Sequence, residues 1–172
     1  MRNEQEMMNL ILNTAKDNER IRAVYMNGSR TNSNVPKDIF QDYVIVYVVT
    51  ETASFIQDKS WVHAFGEILM MQEPDKNDVN REMNVDFTKS YGFLMLFIDG
   101  NRINLTLETK EMTLDRYGED MLTLPIVDKD NLLPSIPSTT DLDYHVDKPT
   151  KEEYDHFTND FWWCSQNVAK SI

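Results

Sequence analysis

The sequence predicts an α/β fold, a β-sheet flanked by helices, on three observations. Residues 43–49 read Tyr-Val-Ile-Val-Tyr-Val-Val, β-branched and aromatic throughout, and a run of that length without a polar face suits a central strand covered on both sides. Residues 4–18 place Met7, Met8, Ile11 and Ala15 at helical spacing with charges elsewhere, the mark of an amphipathic helix. Residues 91–98 and 102–107 are strand-like runs on either side of Asp99-Gly100-Asn101, which makes them the arms of a hairpin.

The remaining elements fall between these. Residues 21–26 form a short β-leaning run that ends at Asn27-Gly28-Ser29-Arg30, followed by a polar loop to Asp38 holding the turn formers Asn32, Ser33, Asn34 and Pro36. Residues 60–65 predict a short helix and 68–71 a strand, while 74–89 are polar and read as an exposed excursion. A helix over 110–117 and a weak strand over 122–127 follow. Residues 128–148, rich in Pro, Ser, Thr and Asp, read as a connecting segment.

A last helix begins near Thr150, which has capping-box spacing to Glu153, although Pro149 would also suit the first helical position. Tyr154, Phe157, Phe161, Trp162 and Ser165 share one face of it. That face either packs on the preceding domain or opens a helical second domain, and left exposed it would favour self-association. The expected division is 1–146 for the first domain and 147–172 for the first helix of the second.

Composition narrows the function classes. Hydrophobic residues make up 41% of the 172, enough for a core. Acidic residues outnumber basic ones 29 to 17, a net charge of -12, which argues against binding to a nucleic-acid backbone and is compatible with a cationic small ligand. Cys164 is the one cysteine, so no internal disulfide forms and a reducing, cytoplasmic setting is the default. The N-terminus is too polar for a signal peptide and no apolar run is long enough to span a bilayer. Cys164, Met7-Met8 and Met70-Met71 read as core filler. His63, His145 and His156 have no metal-ligand spacing.

The segment from Gly28 to Asp42 carries the chemistry. A glycine lets backbone approach a triphosphate closely, and a neighbouring serine donates to phosphate oxygens. Carboxylates at alternate positions of a strand point to one side. Two of them, with a third from the next strand, can hold the Mg²⁺ ions that orient an α-phosphate and stabilise departing pyrophosphate. Asp42 opens such a strand.

Asn27-Gly28-Ser29-Arg30-Thr31-Asn32, then Val35-Pro36-Lys37-Asp38-Ile39-Phe40-Gln41-Asp42-Tyr43, then Phe97-Ile98-Asp99-Gly100-Asn101-Arg102-Ile103 resemble the aminoglycoside 6-adenylyltransferase family of the nucleotidyltransferase superfamily. Phe161-Trp162-Trp163 resembles the first helix of that family's C-terminal helical domain. The resemblance implies a mixed sheet of nucleotidyltransferase type and transfer of AMP from ATP, with Mg²⁺, to a hydroxyl of an aminoglycoside such as streptomycin. It implies that Gly28 and Ser29 contact the triphosphate, with Arg30 assisting, and that Asp42 is the first metal ligand. Two positions depart from the pattern: an acid is expected two residues after Asp42, where Val44 stands, and another after Ile103, where Asn104 stands. Asparagine coordinates through a neutral carbonyl and valine not at all, so the expected consequence is weakened Mg²⁺ binding and impaired transfer. The alternative is a non-catalytic protein that keeps the nucleotide cleft or binds another protein. Asp38 is read as a turn former and Asp99 as part of the hairpin turn, while Arg102 either approaches a phosphate or sits solvated on its strand, the second reading being preferred.

Overall fold

The computed structural model describes residues 1–77 and 86–170. Its centre is a six-stranded mixed sheet of order β3-β4-β5-β2-β1-β6, with β1 at Ile21–Asn27, β2 at Tyr43–Val49, β3 at Ile68–Gln72, β4 at Ser90–Phe97, β5 at Arg102–Thr109 and β6 at Leu124–Asp128. Among the described residues only β2 and β5 pair in parallel, and the other neighbours are antiparallel. The apolar run at 43–49 is indeed a central strand, flanked by β1 and β5.

One face of the sheet holds the main core. Helix α1, Glu4–Asp17, starts with a capping box in which Asn3 and Glu6 satisfy each other's backbone amides, and it buries Met7, Ile11 and Ala15 as its spacing predicts. Tyr47, fully buried, donates its hydroxyl to the Ile11 carbonyl at 2.6 Å, and Lys129 reaches the carbonyls of Ala15, Lys16 and Asn18 at the helix's C-terminal end. A short helix α2, Ala53–Gln57, and a 3₁₀ turn, Ser60–Phe65, close the same layer. They add Phe55, Val62 and Phe65 to a core that already holds Tyr91, Phe93, Met95 and Phe97 of β4.

Among the described residues the opposite face is covered at one end only. There Ala23, Tyr25, Val46, Val48 and Tyr117 pack beneath Leu132, Leu133 and Ile136, next to helix α4, Lys110–Arg116. At the other end a cross-strand row runs Gln72, Leu94, Asn104, Val44, Asn27. A second row runs Met70, Leu96, Arg102. Met70 and Arg102 are exposed and the others are half-buried or exposed, so this end of the sheet is open.

Two expectations change on folding. Met70 is 63% exposed, because it lies on the open face of an edge strand. Cys164 is exposed as well, because helix α5, Lys151–Lys170, buries none of its residues. Its capping box forms, with Thr150 and Glu153 paired, but Tyr154, Phe157, Phe161, Trp162 and Trp163 are each at least 60% exposed, so the aromatic face does not pack on the sheet. The polar excursion at 74–89 contains a short helix α3, Pro74–Asn77, and otherwise falls largely outside the described residues. No helix among the described residues is long and apolar enough to cross a membrane.

Asp99 does more than turn the hairpin. Its carboxylate accepts from the Arg2 backbone at 3.0 Å and from Arg2 Nε at 2.6 Å, and from the backbone and side-chain amides of Asn101. The Arg2 guanidinium also meets the Phe65 carbonyl. The N-terminus is thereby pinned to β4–β5. Arg2's hydrogen bond, the largest effect, holds the Asp99 carboxyl well below the usual carboxylate range. A carboxylate whose folded pKa lies below its unfolded value near 3.9 adds stability at neutral pH, and that contribution drains away as pH falls from about 5 through the folded pKa. Asp99→Asn is expected to cost about 1–3 kcal/mol at pH 7, with the gap from the unsubstituted protein narrowing by pH 3. Urea midpoints at the two pH values test this; an equal gap at both would mean the charge contributes nothing.

Candidate functional site

The site begins where β1 ends. Gly28 has φ +82° and ψ −161°, a region open essentially to glycine alone. That conformation turns the chain off the strand into a single 3₁₀ turn, Ser29–Thr31. The turn is held from below: the Thr31 amide donates to the Gly28 carbonyl at 3.0 Å, and the Thr31 hydroxyl lies 2.6 Å from the Leu122 carbonyl. Ser29 is left exposed at the top.

The loop that follows is tied down at several points. Asn32 and Asn34 both donate to Asp141, and these bonds, Asn32's first, draw the Asp141 carboxyl below its ordinary value. Asp38 accepts from the Phe40 and Gln41 amides at 2.7 and 3.1 Å, so it is the turn former its sequence context indicates.

Gly28 and Val44 face each other: a Cβ on Gly28 would lie 3.5 Å from Val44 Cγ2. Val44 stands directly opposite Asn104 in the parallel register. Asp42, just before β2, accepts from Asn104 Nδ2 at 3.2 Å and lies 3.3 Å from Arg102 Nε. Arg102 Nε also donates to Asn104 Oδ1 at 3.2 Å, closing a three-residue ring. Ser29, Asp42 and Val44, with Val35, Phe40 and Gln41, line an open hollow of about 420 Å³.

The structure thus gathers Gly28, Ser29, Asp42, Val44 and Asn104 at one end of the open face. It does not bring Arg30 there. The Arg30 guanidinium donates to the Gln41 carbonyl at 2.7 Å and lies 3.8 Å over the Tyr43 ring. Tyr43 belongs to the opposite, core face of β2, and Arg30 lines a separate hollow with Arg2 and Lys37.

The acid arithmetic of the cleft is short. Among the described residues no group of three His, Cys, Asp or Glu side chains could hold a metal. Asp38 reaches the rim of the hollow, but one of its oxygens caps the 38–41 turn. Glu108 shares the face of Asn104 but lies four residues further along β5, roughly 13 Å away. It is buried and accepts from the Tyr25 hydroxyl at 2.8 Å. Burial foremost, then the charge of Glu108, pushes the Tyr25 hydroxyl well above its ordinary value. The donor set around Asp42 is therefore one carboxylate, one neutral amide and a guanidinium, which does not fit a divalent ion. Sequence reasoning missed Arg102 as a partner of Asp42, and it missed Thr31, Asn32, Asn34 and Asp141 as supports. Only the Asn-rich loop hinted at the latter.

Comparison with known proteins bears on the whole chain. The family model described as streptomycin adenylyltransferase matches residues 1–172. An aminoglycoside 6-adenylyltransferase from Campylobacter jejuni is 40% identical over 172 residues, covering 100% of this chain and 58% of that protein. One from Bacillus subtilis (strain 168) is 38% identical over 173 residues, covering 100% and 60%. The crystal structure of an aminoglycoside 6-adenyltransferase from Bacillus subtilis superposes with a TM-score of 0.61 at 32% identity, covering 99% of this chain and 57% of that one. The chain spans less than two thirds of the length of these relatives.

Proposed function

Because the chain belongs to the streptomycin adenylyltransferase family, we propose that it carries the nucleotide-binding unit of an aminoglycoside adenylyltransferase in which the catalytic metal site is disarmed. ATP is the nucleotide, seated at Gly28 and Ser29, and an aminoglycoside such as streptomycin is the acceptor class that the intact family site would serve. Residues 1–146 form the unit that carries the cleft. Residues 147–172 belong to a helical unit, a reading supported by the aromatic face of α5 exposed along its length.

One observation carries the reading. The carboxylate of Asp42 faces Arg102 and Asn104 instead of other acids, while the glycine-serine turn that would receive phosphate is intact and braced. The cleft kept the part that binds an anion and lost the part that binds a cation. Even the loss of a residue behind a metal ligand costs roughly 10- to 100-fold in affinity or activity, and here two direct ligands are replaced. This favours the non-catalytic, nucleotide-binding alternative over an active transferase.

The test is titration of Mn²⁺ alone into the chain, following the free-ion electron paramagnetic resonance signal, together with mass spectrometry of streptomycin incubated with ATP and Mg²⁺. The free Mn²⁺ signal is expected to stay undiminished and no AMP-streptomycin to form. A bound ion that is lost on Asp42→Asn, or robust adenylylation of streptomycin, would overturn the disarmed-site reading.

A further inference from the structure

We propose that Arg102 is the built-in cation of this cleft, and that it lets the chain bind a nucleoside triphosphate without a divalent metal. The proposal rests on the nucleotide reading above. Arg102 begins β5 beside Asp42, at the place from which a cation would neutralise that carboxylate. Its Nε serves both Asp42 and Asn104. The guanidinium's hydrogen bond to Asn104 and its shortest approach to Asp42 both use this inner nitrogen, and the side chain is 48% exposed, which leaves its terminal amino groups accessible to a ligand. A planar guanidinium with two such groups matches a phosphate bidentately.

The neighbours suit an anion that arrives bare. Asp42, which shares a hollow with Ser29, has its charge offset by Arg102, which lessens its repulsion of a triphosphate. Gly28 lies against Val44 of that hollow's wall, and Arg102, which lines the hollow over Met70, Gln72 and Leu94, joins the two at its ion pair with Asp42. A divalent ion at Asp42 would instead meet the positive guanidinium and be repelled by it. Asn104 belongs to this arrangement: its carbonyl accepts from Arg102 and its amide donates to Asp42, so one neutral residue holds both charged partners in register. An aspartate there could accept from Arg102 but could not donate to Asp42 while ionised.

Calorimetric titration of ATP into the chain in EDTA, and again with Mg²⁺ in excess, tests the proposal, with Arg102→Gln and Arg102→Lys alongside. The expected result is the same affinity in both buffers, weakened about tenfold or more by Arg102→Gln and less by Arg102→Lys. Binding that appears only with Mg²⁺ would overturn the proposal and keep the nucleotide reading. Metal-free binding that Arg102→Gln leaves unchanged would overturn the role of Arg102. No binding in either buffer, by this chain or by a Val44→Asp/Asn104→Asp variant, would remove the nucleotide reading itself and the proposal with it.

Discussion

Val44→Asp/Asn104→Asp is expected to turn a cleft with one carboxylate into one that binds Mn²⁺ at one ion per chain. The geometry is favourable in advance. Residue 44 lies two positions after Asp42, so both side chains leave the strand on the same side. Position 104 is the direct parallel partner of position 44, about 4.8 Å away across the strands. Three carboxylates at that spacing bring oxygens within the roughly 2–2.2 Å reach of a small divalent ion. Without metal the same three charges repel, so the double variant should melt at a lower temperature than the unsubstituted chain in EDTA. Mn²⁺ should then recover stability by about 2.7 kcal/mol when present at a hundred times its dissociation constant. The unsubstituted chain should melt alike in both buffers. Arg102 decides how far the recovery goes, because its guanidinium competes for Asp42. Adding Arg102→Gln to the double variant should tighten Mn²⁺ further. If the double variant shows no metal-dependent rise in melting temperature, the register of β2 and β5 does not place these positions around one ion.

The parts of this site that the sequence discloses are those encoded locally. Gly28 and Ser29 follow a strand-like run, and Asp42 opens the most apolar one, so their neighbourhood is legible from spacing. Helix α1 and the β4–β5 hairpin are legible because period and turn chemistry agree. What escapes is set by partners far along the chain. Arg102 is 60 positions from Asp42, and nothing near it distinguishes a solvated arginine from one paired across two strands. Asp99 reads as a turn residue because Arg2, which it grips, lies 97 positions away. Arg30 sits next to the Gly28-Ser29 turn in sequence, yet the 3₁₀ turn carries it to the other face of β2, over Tyr43. Met70 and Cys164 show the same limit from another side: apolar character says a surface prefers cover, and only the packing says whether cover is there. Helix α2 was not anticipated, since five residues are too few for a helical period to appear.

Phe93→Ala is expected to cost about 3–5 kcal/mol, a loss near the whole stability of a marginal domain. Phe93 is fully buried. Its ring stands edge-on to Trp61 at 5.6 Å and to Tyr91 at 5.1 Å between centroids, geometry that adds to simple burial. Trp61 in turn meets Phe55 and Phe65, so truncating Phe93 opens a cavity at the centre of an aromatic cluster that joins β4 to the 3₁₀ turn and α2. The fall in melting temperature should be about 2–4 °C per kcal/mol for a chain of this size. Met70→Ala, on the adjacent strand but the opposite face, should change stability by no more than about 0.5 kcal/mol, as an exposed position does. Thermal melts of the two variants compare the faces directly. The contrast matters for function, because a sheet whose main core lies on one face, with the other face covered at one end, leaves the open end free to receive a ligand. The row of Leu94, Asn104 and Val44 is carried by strands whose alternate residues supply the core, so the cleft inherits rigidity it does not itself contribute. Equal losses from Phe93→Ala and Met70→Ala would mean that the open face is a second core, and the hollow beside Asp42 would then be no place for a nucleotide.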